Sequence, residues 1–380
     1  MKVRKPRRRR HRSNTYYGSA YGTGKRKRFS RRLKVGLYVL AVFIFGLMVC
    51  VATIGLGSAV KARTILFIPT GAGYAQVQDS LRASGNVQML KFEVLSRIKG
   101  YPETVKPGRY VLDRGVTALA VVNKLRAGDQ DEVRITFNKI RSVSQLAGIV
   151  SKRIEADSVS IVRVLSDSAF LSRFTYAFEG ADSAMEAALR VNPANVLGCF
   201  IPNTYYFYWD TDAEEFFKRM YWELNDFWEG ERQAKADSMD MDRLEIISLA
   251  SIVEEETNKK DERADIASVY LNRLRRRMLL QADPTVKYAV GDFGLKRILK
   301  EHLAVESPYN TYKERGLPPG PICTPSISSI DAVLENKQTK YLYFCAKPDF
   351  SGYHVFATSY ASHLANARAY QRELNKLGVK

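Results

Sequence analysis

Three consecutive glutamates, Glu254 to Glu256, follow an apolar run in the segment LASIVEEETNKK (residues 249–260) and are the first candidates for chemistry. A glutamate donates a proton efficiently near neutral pH only if its pKa lies well above the usual value for this side chain. Burial among apolar groups and the negative end of a helix dipole both raise that pKa. The chemistry of this segment therefore depends on which glutamate the folded helix buries.

Helical spacing favours Glu256. At about 100° per residue, Glu256 falls on one stripe with Leu249 and Val253, whereas Glu254 points to roughly the opposite side. Glu256 also ends the predicted helix, where the helix dipole disfavours an anion. We therefore predict that Glu256 is a general acid with a raised pKa. Glu245 falls near the same stripe, and a solvated glutamate at a fraying helix end is the structural alternative.

Two later loops carry side chains suited to holding a sugar. The loop LLQADPTVKYAVG (279–291) presents amide, carboxyl and hydroxyl groups around a proline, and ESPYNTYKERGLPPGPICTPS (306–326) combines aromatic rings with several prolines. Flat rings stack on apolar sugar faces, and neutral donors and acceptors bind sugar hydroxyls. The segments KYLYFCA and YHVFATSYASH add Tyr343, His354 and His363. The predicted substrate-binding residues are Gln281, Asp283, Thr285, Tyr309, Asn310, Thr311, Tyr343 and His354.

Each of these residues has a structural alternative on composition alone. A proline-rich loop can be stiff for packing reasons, Asp283 can make the turn before Pro284, and a lone histidine such as His354 often serves a structural role. If Asp283 acted as a nucleophile or base, the site would contain two carboxylates and would hydrolyse its substrate. The residue types leave these alternatives open.

The candidate residues need a framework of helices and short strands. Apolar periodicity predicts helices at about 143–155, 213–228, 241–257 and 261–277, a short strand at 340–346 and a closing helix at 358–374. Residues 138–380 are therefore predicted to form a mixed α+β catalytic domain with the candidate acid on a helix. Residues 61–137 give the order strand–helix–helix–strand–helix, which predicts a small α+β module before it.

The N-terminal part of the chain predicts a membrane anchor. Residues 35–60 contain no charged residue and exceed the roughly 20 apolar residues that cross a bilayer. A cleaved signal peptide is the alternative, although its apolar region is usually only about 7–15 residues long. Basic residues precede the run, so residues 1–34 are expected to be a disordered cytoplasmic tail. The protein is then expected to cross the inner membrane once, with residues from about 61 onward outside it.

The net charge of +19 belongs mainly to this tail. Residues 1–34 hold 15 of the 59 Lys and Arg residues, so 44 basic and 40 acidic residues remain after them, and no specific nucleic-acid partner is expected. The chain contains four histidines and four cysteines, with no CxxC motif and no cysteine–histidine cluster. The sequence therefore predicts no metal site and no cofactor. A Cys323–Cys345 disulfide remains an open alternative to free thiols.

Several motifs together resemble a known family. The segments ASIVEEET, LNRLRRRMLLQADPTVKYAVG, SPYNTYKERGLPPGPICTPS, KYLYFCA and HVFATSYASH resemble the YceG-like endolytic lytic transglycosylases, in the same order and spacing. The stretch CFIPNTYYF (199–207) looks like an earlier motif of that family. The resemblance spans about residue 197 to the C-terminus and is weaker from 62 to 196. There, KPGRYVLDRGVTALAVVNKLRAG resembles the LysM-like region that precedes the catalytic domain in that family.

The resemblance implies a function. Family members are bacterial, are anchored in the inner membrane and cut peptidoglycan glycan strands, with peptidoglycan synthases as partners. Their motif is Glu-x-Glu-Thr, and the glutamate before the threonine is the catalytic acid and base. That position matches Glu256, and the first glutamate matches Glu254, which is expected to support it. Glu255 departs from the basic residue common at the middle position, and its negative charge is expected to raise the pKa of Glu256.

Two other function classes remain open from the sequence. The chain could be a membrane-anchored scaffold that binds cell wall without cutting it, with the LysM-like module as its reader. It could also be a peptidoglycan hydrolase that uses Asp283 as the second carboxylate and makes reducing ends. Intact acid and loop motifs favour the transglycosylase over both.

Overall fold

The computed structural model describes residues 30–178, 181–295 and 297–376 and divides the chain into two compact units, Met1–Gly57 and Ser58–Lys380. In the first unit, helix α1 occupies Arg31–Leu56, and the Ser30 hydroxyl accepts a hydrogen bond from the Leu33 amide at 3.3 Å. The helix begins inside the predicted basic tail, and residues 1–29 of that tail lie outside the described residues. Across the described ranges, no helix has both the length and the apolar content that crossing a membrane requires.

The second unit opens with a small α+β module. Its strands β1 (Thr64–Ile68) and β2 (Gly108–Leu112) pair antiparallel, and its helices are α2 (Tyr74–Ser84), α3 (Met89–Ile98) and α4 (Ala118–Ala127). Alternate residues of both strands are buried in a core with side chains from all three helices. The predicted order of strands and helices is therefore confirmed for this module.

The rest of the unit is mostly helical. Its helices are α5 (Val143–Val150), α6 (Ser158–Ser166), α7 (Ser168–Leu171), α8 (Ser183–Ala188), α9 (Ala213–Trp228), α10 (Glu231–Ser238), α11 (Arg243–Glu256), α12 (Arg263–Arg275), α13 (Asp283–Val290), α14 (Lys300–Leu303), α15 (Ile327–Leu334) and α16 (Tyr360–Lys376). Two further antiparallel pairs are β3 (Val133–Thr136) with β4 (Thr204–Phe207), and β5 (Tyr343–Ala346) with β6 (His354–Ala357). The predicted helices correspond to α5, α9, α11, α12 and α16, and the predicted strand corresponds to β5.

Strand β3 belongs with the helical part and not with the module. The sequence places it at the end of the module, but it pairs with β4, and Ile135 is buried in the larger core. The module is joined to that part through side chains as well. The amide and hydroxyl of Thr70 donate to the two carboxylate oxygens of Glu155 at 2.9 and 2.7 Å, and the Phe67 ring lies 5.1 Å from the Trp209 ring.

Helix α11 is the central helix of the larger core. Every side chain from Ile246 to Val253 is buried, because α12, α13 and α15 all pack against the helix. The single apolar stripe expected from the sequence is therefore replaced by burial around the whole circumference. Two serines share this environment, and the Ser251 hydroxyl donates to the Ser248 carbonyl at 2.7 Å. The helix emerges from the core at its two ends, at Glu245 in the first turn and at the three glutamates of the last turn.

Helix α13 lies where the sequence suggested a loop. Asp283 is its first residue and Pro284 lies in its first turn, where the fixed proline φ and missing amide hydrogen are tolerated. Gly291 ends the helix in the left-handed conformation, with φ of 78°. The helix is short, which explains why its apolar period did not stand out in the sequence.

The cysteines of the second unit are free thiols. Cys199 and Cys323 are buried, and Cys345 is partly buried. The Cys323 thiol donates to the carbonyl of Ser251, a residue of α11, at 3.6 Å. The Cys323–Cys345 bridge that the sequence left open is therefore not formed.

Candidate active site

Glu256 is the last residue of α11, and its half-buried carboxyl faces a cleft. The hydroxyl of Tyr270, a buried residue of α12, donates to Glu256 Oε1 at 2.6 Å. Burial raises the pKa of Glu256, and the Tyr270 hydrogen bond lowers it. The negative charges of Asp283 and Glu255 also raise the pKa, the positive charge of Lys287 lowers it, and the resulting pKa is about 7. The raised pKa expected from the sequence is thus found at this residue.

The residue after Glu256 fixes the end of the helix. Thr257 leaves the helical conformation, with φ of −142° and ψ of 142°. Its hydroxyl donates to Glu262 Oε1 at 2.9 Å and accepts from the Lys259 amide at 3.0 Å. The turn after α11 is therefore closed by side-chain hydrogen bonds, which hold Glu256 at a defined position.

Glu255 lies in a cationic environment. Arg141 donates from Nε and Nη2 to its two carboxylate oxygens at 2.7 and 2.9 Å, and Lys139 Nζ lies 3.4 Å from Oε2. Burial alone would raise the pKa of Glu255, but the Arg141 hydrogen bond and the two positive charges outweigh it and lower the pKa. Glu255 therefore remains ionised beside Glu256.

Glu254 is bound by the N-terminal ends of α12 and α15. Its Oε2 accepts from the hydroxyls of Ser326 and Ser329 at 2.5 and 2.6 Å, and Arg263 Nη1 lies 3.2 Å from the same oxygen. Both charged side chains are nearly buried, at 5% exposure for Arg263 and 12% for Glu254. These contacts join the ends of α11, α12 and α15, an arrangement that fits the supporting role expected for Glu254.

The cleft has a volume of about 300 Å³, and polar groups supply most of its wall. It brings together three predicted site residues, Glu256, Gln281 and Asp283, with residues that the sequence argument left out of the site. Its complete lining is Glu256, Tyr270, Arg273, Leu280, Gln281, Asp283, Tyr312, Phe344 and His363.

Asp283 faces Glu256 across this cleft and is itself hydrogen-bonded. The Tyr312 hydroxyl donates to Asp283 Oδ1 at 2.6 Å. Burial, followed by the hydrogen bond to Asp283 and its charge, raises the pKa of Tyr312 well above its usual value. Tyr312 therefore stays protonated and holds Asp283 in place as a hydrogen-bond acceptor.

Arg273 forms the base of the cleft. Its Nε donates to the Leu342 carbonyl at 2.7 Å, its Nη1 donates to the Leu280 carbonyl at 2.8 Å, and its guanidinium lies 5.2 Å from the centre of the Tyr343 ring. Tyr343 stacks on the imidazole of His363, with ring centres 5.3 Å apart. Tyr343 thus lies directly behind two lining residues.

Comparison with known proteins identifies the family. A model of the YceG-like family matches residues 66–369, which include every residue of the cleft. The chain belongs to the YceG-like family. An endolytic murein transglycosylase of Bacillus subtilis is 32% identical over 308 residues, covering 80% of this chain and 83% of that protein. One from Streptococcus pneumoniae is 27% identical, covering 75% of this chain and 54% of that protein.

A solved structure agrees with this assignment. The crystal structure of a yceG-like protein from Listeria monocytogenes has a TM-score of 0.51 and 26% sequence identity to this chain. The match covers 80% of this chain and 99% of the Listeria chain. The resemblance seen in the sequence motifs is therefore confirmed over most of the second unit.

Two predicted binding residues, Thr285 and Thr311, connect the two segments that border the cleft on the side that faces the protein interior. Thr285 and Thr311 are buried, and their hydroxyl oxygens lie 2.8 Å apart. The Thr311 hydroxyl also accepts from the Ala282 amide at 3.0 Å, and the Thr311 carbonyl accepts from the Gln281 amide at 3.0 Å. These bonds fix the backbone that presents Gln281 and Asp283.

Tyr309 and Asn310 also face the interior. The Tyr309 hydroxyl donates to the Ala194 carbonyl at 2.9 Å, and the Asn310 amide donates to the carbonyls of Leu303 and Val305 at 3.0 and 2.8 Å. Both side chains are at least nine-tenths buried. Their hydrogen-bonding groups therefore satisfy the protein backbone, and the loop they stiffen carries Tyr312 into the cleft.

His354 lies behind the end of α11. Its Nδ1 is 2.6 Å from Glu262 Oε1, and its amide donates to Glu262 Oε2 at 3.0 Å. Because Glu262 also accepts from Thr257, this contact ties the β5–β6 hairpin to the turn that follows Glu256. The imidazole packs edge-on against Phe344, which lines the cleft.

The cleft residues that the sequence argument missed differ in how far the sequence could have indicated them. Tyr312 directly follows the predicted Thr311, and Phe344 directly follows the predicted Tyr343. The sequence argument therefore chose the right segments, but in each segment the residue after the predicted one lines the cleft. The patterns YNTYK (309–313) and YFCA (343–346) contain no alternation that decides between the two neighbours. Tyr270 and His363 reach the cleft from α12 and α16 by packing, which no local pattern predicts.

We predict that Tyr270→Phe raises the pKa of Glu256 above 7, because the lost hydrogen bond favours the charged carboxylate. NMR titration of the carboxyl carbons in ¹³C-labelled protein would measure the shift. Tyr176→Phe is the matched control, since the buried Tyr176 hydroxyl donates to the Asn195 carbonyl instead. An unchanged or lowered Glu256 pKa in Tyr270→Phe would contradict the assigned contact.

We predict that Glu254→Ala lowers the free energy of unfolding by about 3–5 kcal/mol, because it leaves the buried Arg263 guanidinium without its carboxylate. Urea unfolding followed by circular dichroism would measure the change. Glu214→Ala, which removes an exposed pair with Lys218, should alter stability by less than about 0.5 kcal/mol. Equal effects of the two substitutions would show that the Glu254 contacts do not support the helix end.

Proposed function

We propose that this YceG-like chain is an endolytic murein transglycosylase. It cuts the bond between N-acetylmuramic acid and N-acetylglucosamine within peptidoglycan strands and leaves 1,6-anhydro ends. The observation that carries the proposal is the carboxyl of Glu256, which has a pKa of about 7, receives a hydrogen bond from Tyr270 and faces a polar cleft. The names of its curated relatives agree with this reaction.

One carboxyl serves both proton transfers. Protonated Glu256 gives its proton to the glycosidic oxygen as the bond to C1 of the muramic acid breaks, and the substrate's own N-acetyl carbonyl oxygen stabilises C1. Glu256, now a carboxylate, takes the proton from the 6-hydroxyl of the same sugar. The 6-oxygen then bonds to C1, releases the acetamido oxygen and closes the anhydro ring. No water is consumed, and Glu256 ends protonated as it began.

Asp283 supports this acid electrostatically. Its negative charge raises the pKa of Glu256, which keeps the acid protonated before the reaction. The same charge stabilises the positive charge that develops at C1. A hydrolase would need Asp283 as a nucleophile or base. The names of the relatives, which are murein transglycosylases, favour the single-acid mechanism over this two-carboxylate alternative.

The remaining predicted site residues fall into two groups. Gln281 lies on the cleft wall, where its amide is placed to bind a sugar hydroxyl or acetamido group. The side chains behind the wall hold the cleft in shape through the contacts described above. These positioning residues are Glu254, Thr285, Tyr309, Asn310, Thr311, Tyr343 and His354.

The membrane anchor and the cellular location belong to the proposal. They rest on the charge-free sequence of residues 35–60, on the basic residues before it and on the side chains of α1. Val42, Phe43 and Phe45 of that helix are 71%, 68% and 65% exposed, and such apolar surface is stable in a lipid environment. In this arrangement residues 1–34 are cytoplasmic, and the catalytic unit acts outside the inner membrane, where new strands are made.

The module that contains β1 and β2 precedes the catalytic part. We regard it as a LysM-like spacer or glycan reader between the anchor and the cleft, because its strand and helix order matches the order implied by the family resemblance. A cut close to the membrane would end strand elongation. That role implies peptidoglycan synthases as partners.

The reaction is expected to lose rate as pH rises through about 7, because the first step requires protonated Glu256. The pH dependence of kcat/KM for the full-length chain in detergent, with purified peptidoglycan, would show this limb. In Tyr270→Phe the limb should move to higher pH, in step with the Glu256 pKa. A limb that stays in place in that variant would assign it to another group.

Glu256→Gln should abolish the formation of 1,6-anhydro ends, since glutamine neither donates nor accepts the catalytic proton. Mass spectrometry of peptidoglycan digested by the wild type and this variant would test the expectation. Asp283→Asn keeps the Tyr312 contact and should reduce the rate by roughly 10–100-fold without changing the product. Reducing ends from the wild type would instead indicate hydrolysis, and no new ends would favour a binding scaffold.

A further inference from the structure

The cleft is small for a substrate that is a polymer. Its volume of about 300 Å³ lies at the lower end for ligand cavities, whereas a glycan strand continues beyond the cut bond in both directions. An enzyme that cuts within a strand must also hold sugars on either side of these. Surface outside the cleft therefore has to contact the strand.

The exposed face of the β3–β4 sheet has the composition for this contact. Burial alternates along β4, so that Tyr205 and Phe207 pack in the core while Tyr206 and the following Tyr208 are 53% and 52% exposed. Arg134 pairs directly with Tyr206 across the two strands, and its side chain is exposed on the same face. Contiguous exposed rings on a sheet face are typical of a binding surface.

Hydroxyl groups complete this face. Thr136 pairs with Thr204 across the strands, and their hydroxyl oxygens lie 2.8 Å apart. Residues two apart along a strand are separated by about 7 Å, so Thr204, Tyr206 and Tyr208 form a row about 14 Å long. We call this row, with Arg134 and Thr136 beside it, the strand platform.

We propose that the strand platform is a second binding site for the peptidoglycan glycan strand, outside the catalytic cleft. This inference rests on the proposed function and extends it. The two tyrosine rings stack on apolar sugar faces, the threonine hydroxyls bind sugar hydroxyls, and the Arg134 guanidinium pairs with carboxylates of the peptide stems.

The position of the platform supports this occupant. Beyond Thr136 the chain reaches the end of α11, where Lys139 Nζ donates to the Glu254 carbonyl at 3.2 Å and Arg141 binds Glu255. At its other end, Tyr208 precedes Trp209, whose ring packs against Phe67 of the module. The platform thus lies between the module and the segment that binds Glu254 and Glu255 at the end of α11.

Binding to purified peptidoglycan sacculi tests the proposal. The full-length chain in detergent would carry Glu256→Gln, so that nothing is cut, and cosedimentation would give its affinity. Adding Tyr206→Ala and Tyr208→Ala should weaken binding at least about tenfold, the loss expected for central aromatic contacts. Trp222→Ala is the matched control, because Trp222 is 76% exposed on α9 and lies outside the platform. Equal binding by both variants would overturn the proposal.

Two further variants separate the contacts. The pair Tyr206→Phe and Tyr208→Phe keeps both rings and should bind like the parent, whereas loss of binding in this pair would overturn stacking as its source. Arg134→Ala should weaken binding several-fold to intact sacculi and leave binding unchanged to strands whose peptide stems an amidase has removed. Equal loss on both materials would overturn the role given to the stem carboxylates.

The proposed reaction and the proposed role of the platform can be overturned independently of each other. With Glu256 intact, the tyrosine-to-alanine pair should raise KM for long strands and leave kcat on short oligosaccharides unchanged. Anhydro ends together with unaltered binding and KM would remove the platform and leave the proposed reaction in place. Weaker binding by the alanine pair in a protein that makes no anhydro ends would remove the reaction and leave the platform as a glycan-binding surface.

Discussion

The burial of one carboxyl at the end of α11 is the constraint on which the rest of the site depends. Removing a charge from water is costly, so a buried glutamate remains neutral unless cations or donors compensate. The two neighbouring glutamates are compensated, one by Arg141 and the other by Arg263 and serine hydroxyls. Glu256 has a single strong donor, Tyr270, and no cation paired with its carboxylate in the described residues. Three adjacent identical side chains thus acquire different chemistry from their surroundings.

The same three contacts also position the acid. Each glutamate of the last turn is bound to a different element: Glu254 to α12 and α15, Glu255 to the segment after β3, and Glu256 to Tyr270 of α12. The end of a helix normally frays, because its last carbonyls lack intrahelical partners. Here the turn after it is closed by Thr257 and Glu262. A proton donor must lie within hydrogen-bond reach of its target, and this bracing supplies that fixed geometry.

Sequence reasoning succeeded where the cause is local. Apolar spacing located the main helices, and loop composition selected the two segments that border the cleft. The Glu-Thr motif pointed to Glu256, which lines the cleft, whereas the one-sided stripe that also favoured it does not exist on a helix buried all round. It failed where orientation depends on packing. In the loop 306–326, Thr311 faces the interior and Tyr312 faces the cleft, and both are plausible sugar ligands by type. The β3–β4 pairing joins strands of four residues that are far apart in the chain, too short for a period to be recognised.

A pKa close to neutrality is what a single acid–base residue requires. The group must hold a proton when the glycosidic bond breaks and must accept one from the 6-hydroxyl afterwards, so a strongly raised pKa would favour the first step at the cost of the second. Burial and the charge of Asp283 act in the first direction, and the Tyr270 hydrogen bond acts in the second. In the cleft, two opposite effects therefore act on the pKa of one carboxyl. Asp283, which raises the pKa of Glu256, is held in place by Tyr312, and Tyr270, which lowers it, is held in place by its burial. Both effects therefore come from rigid parts of the protein.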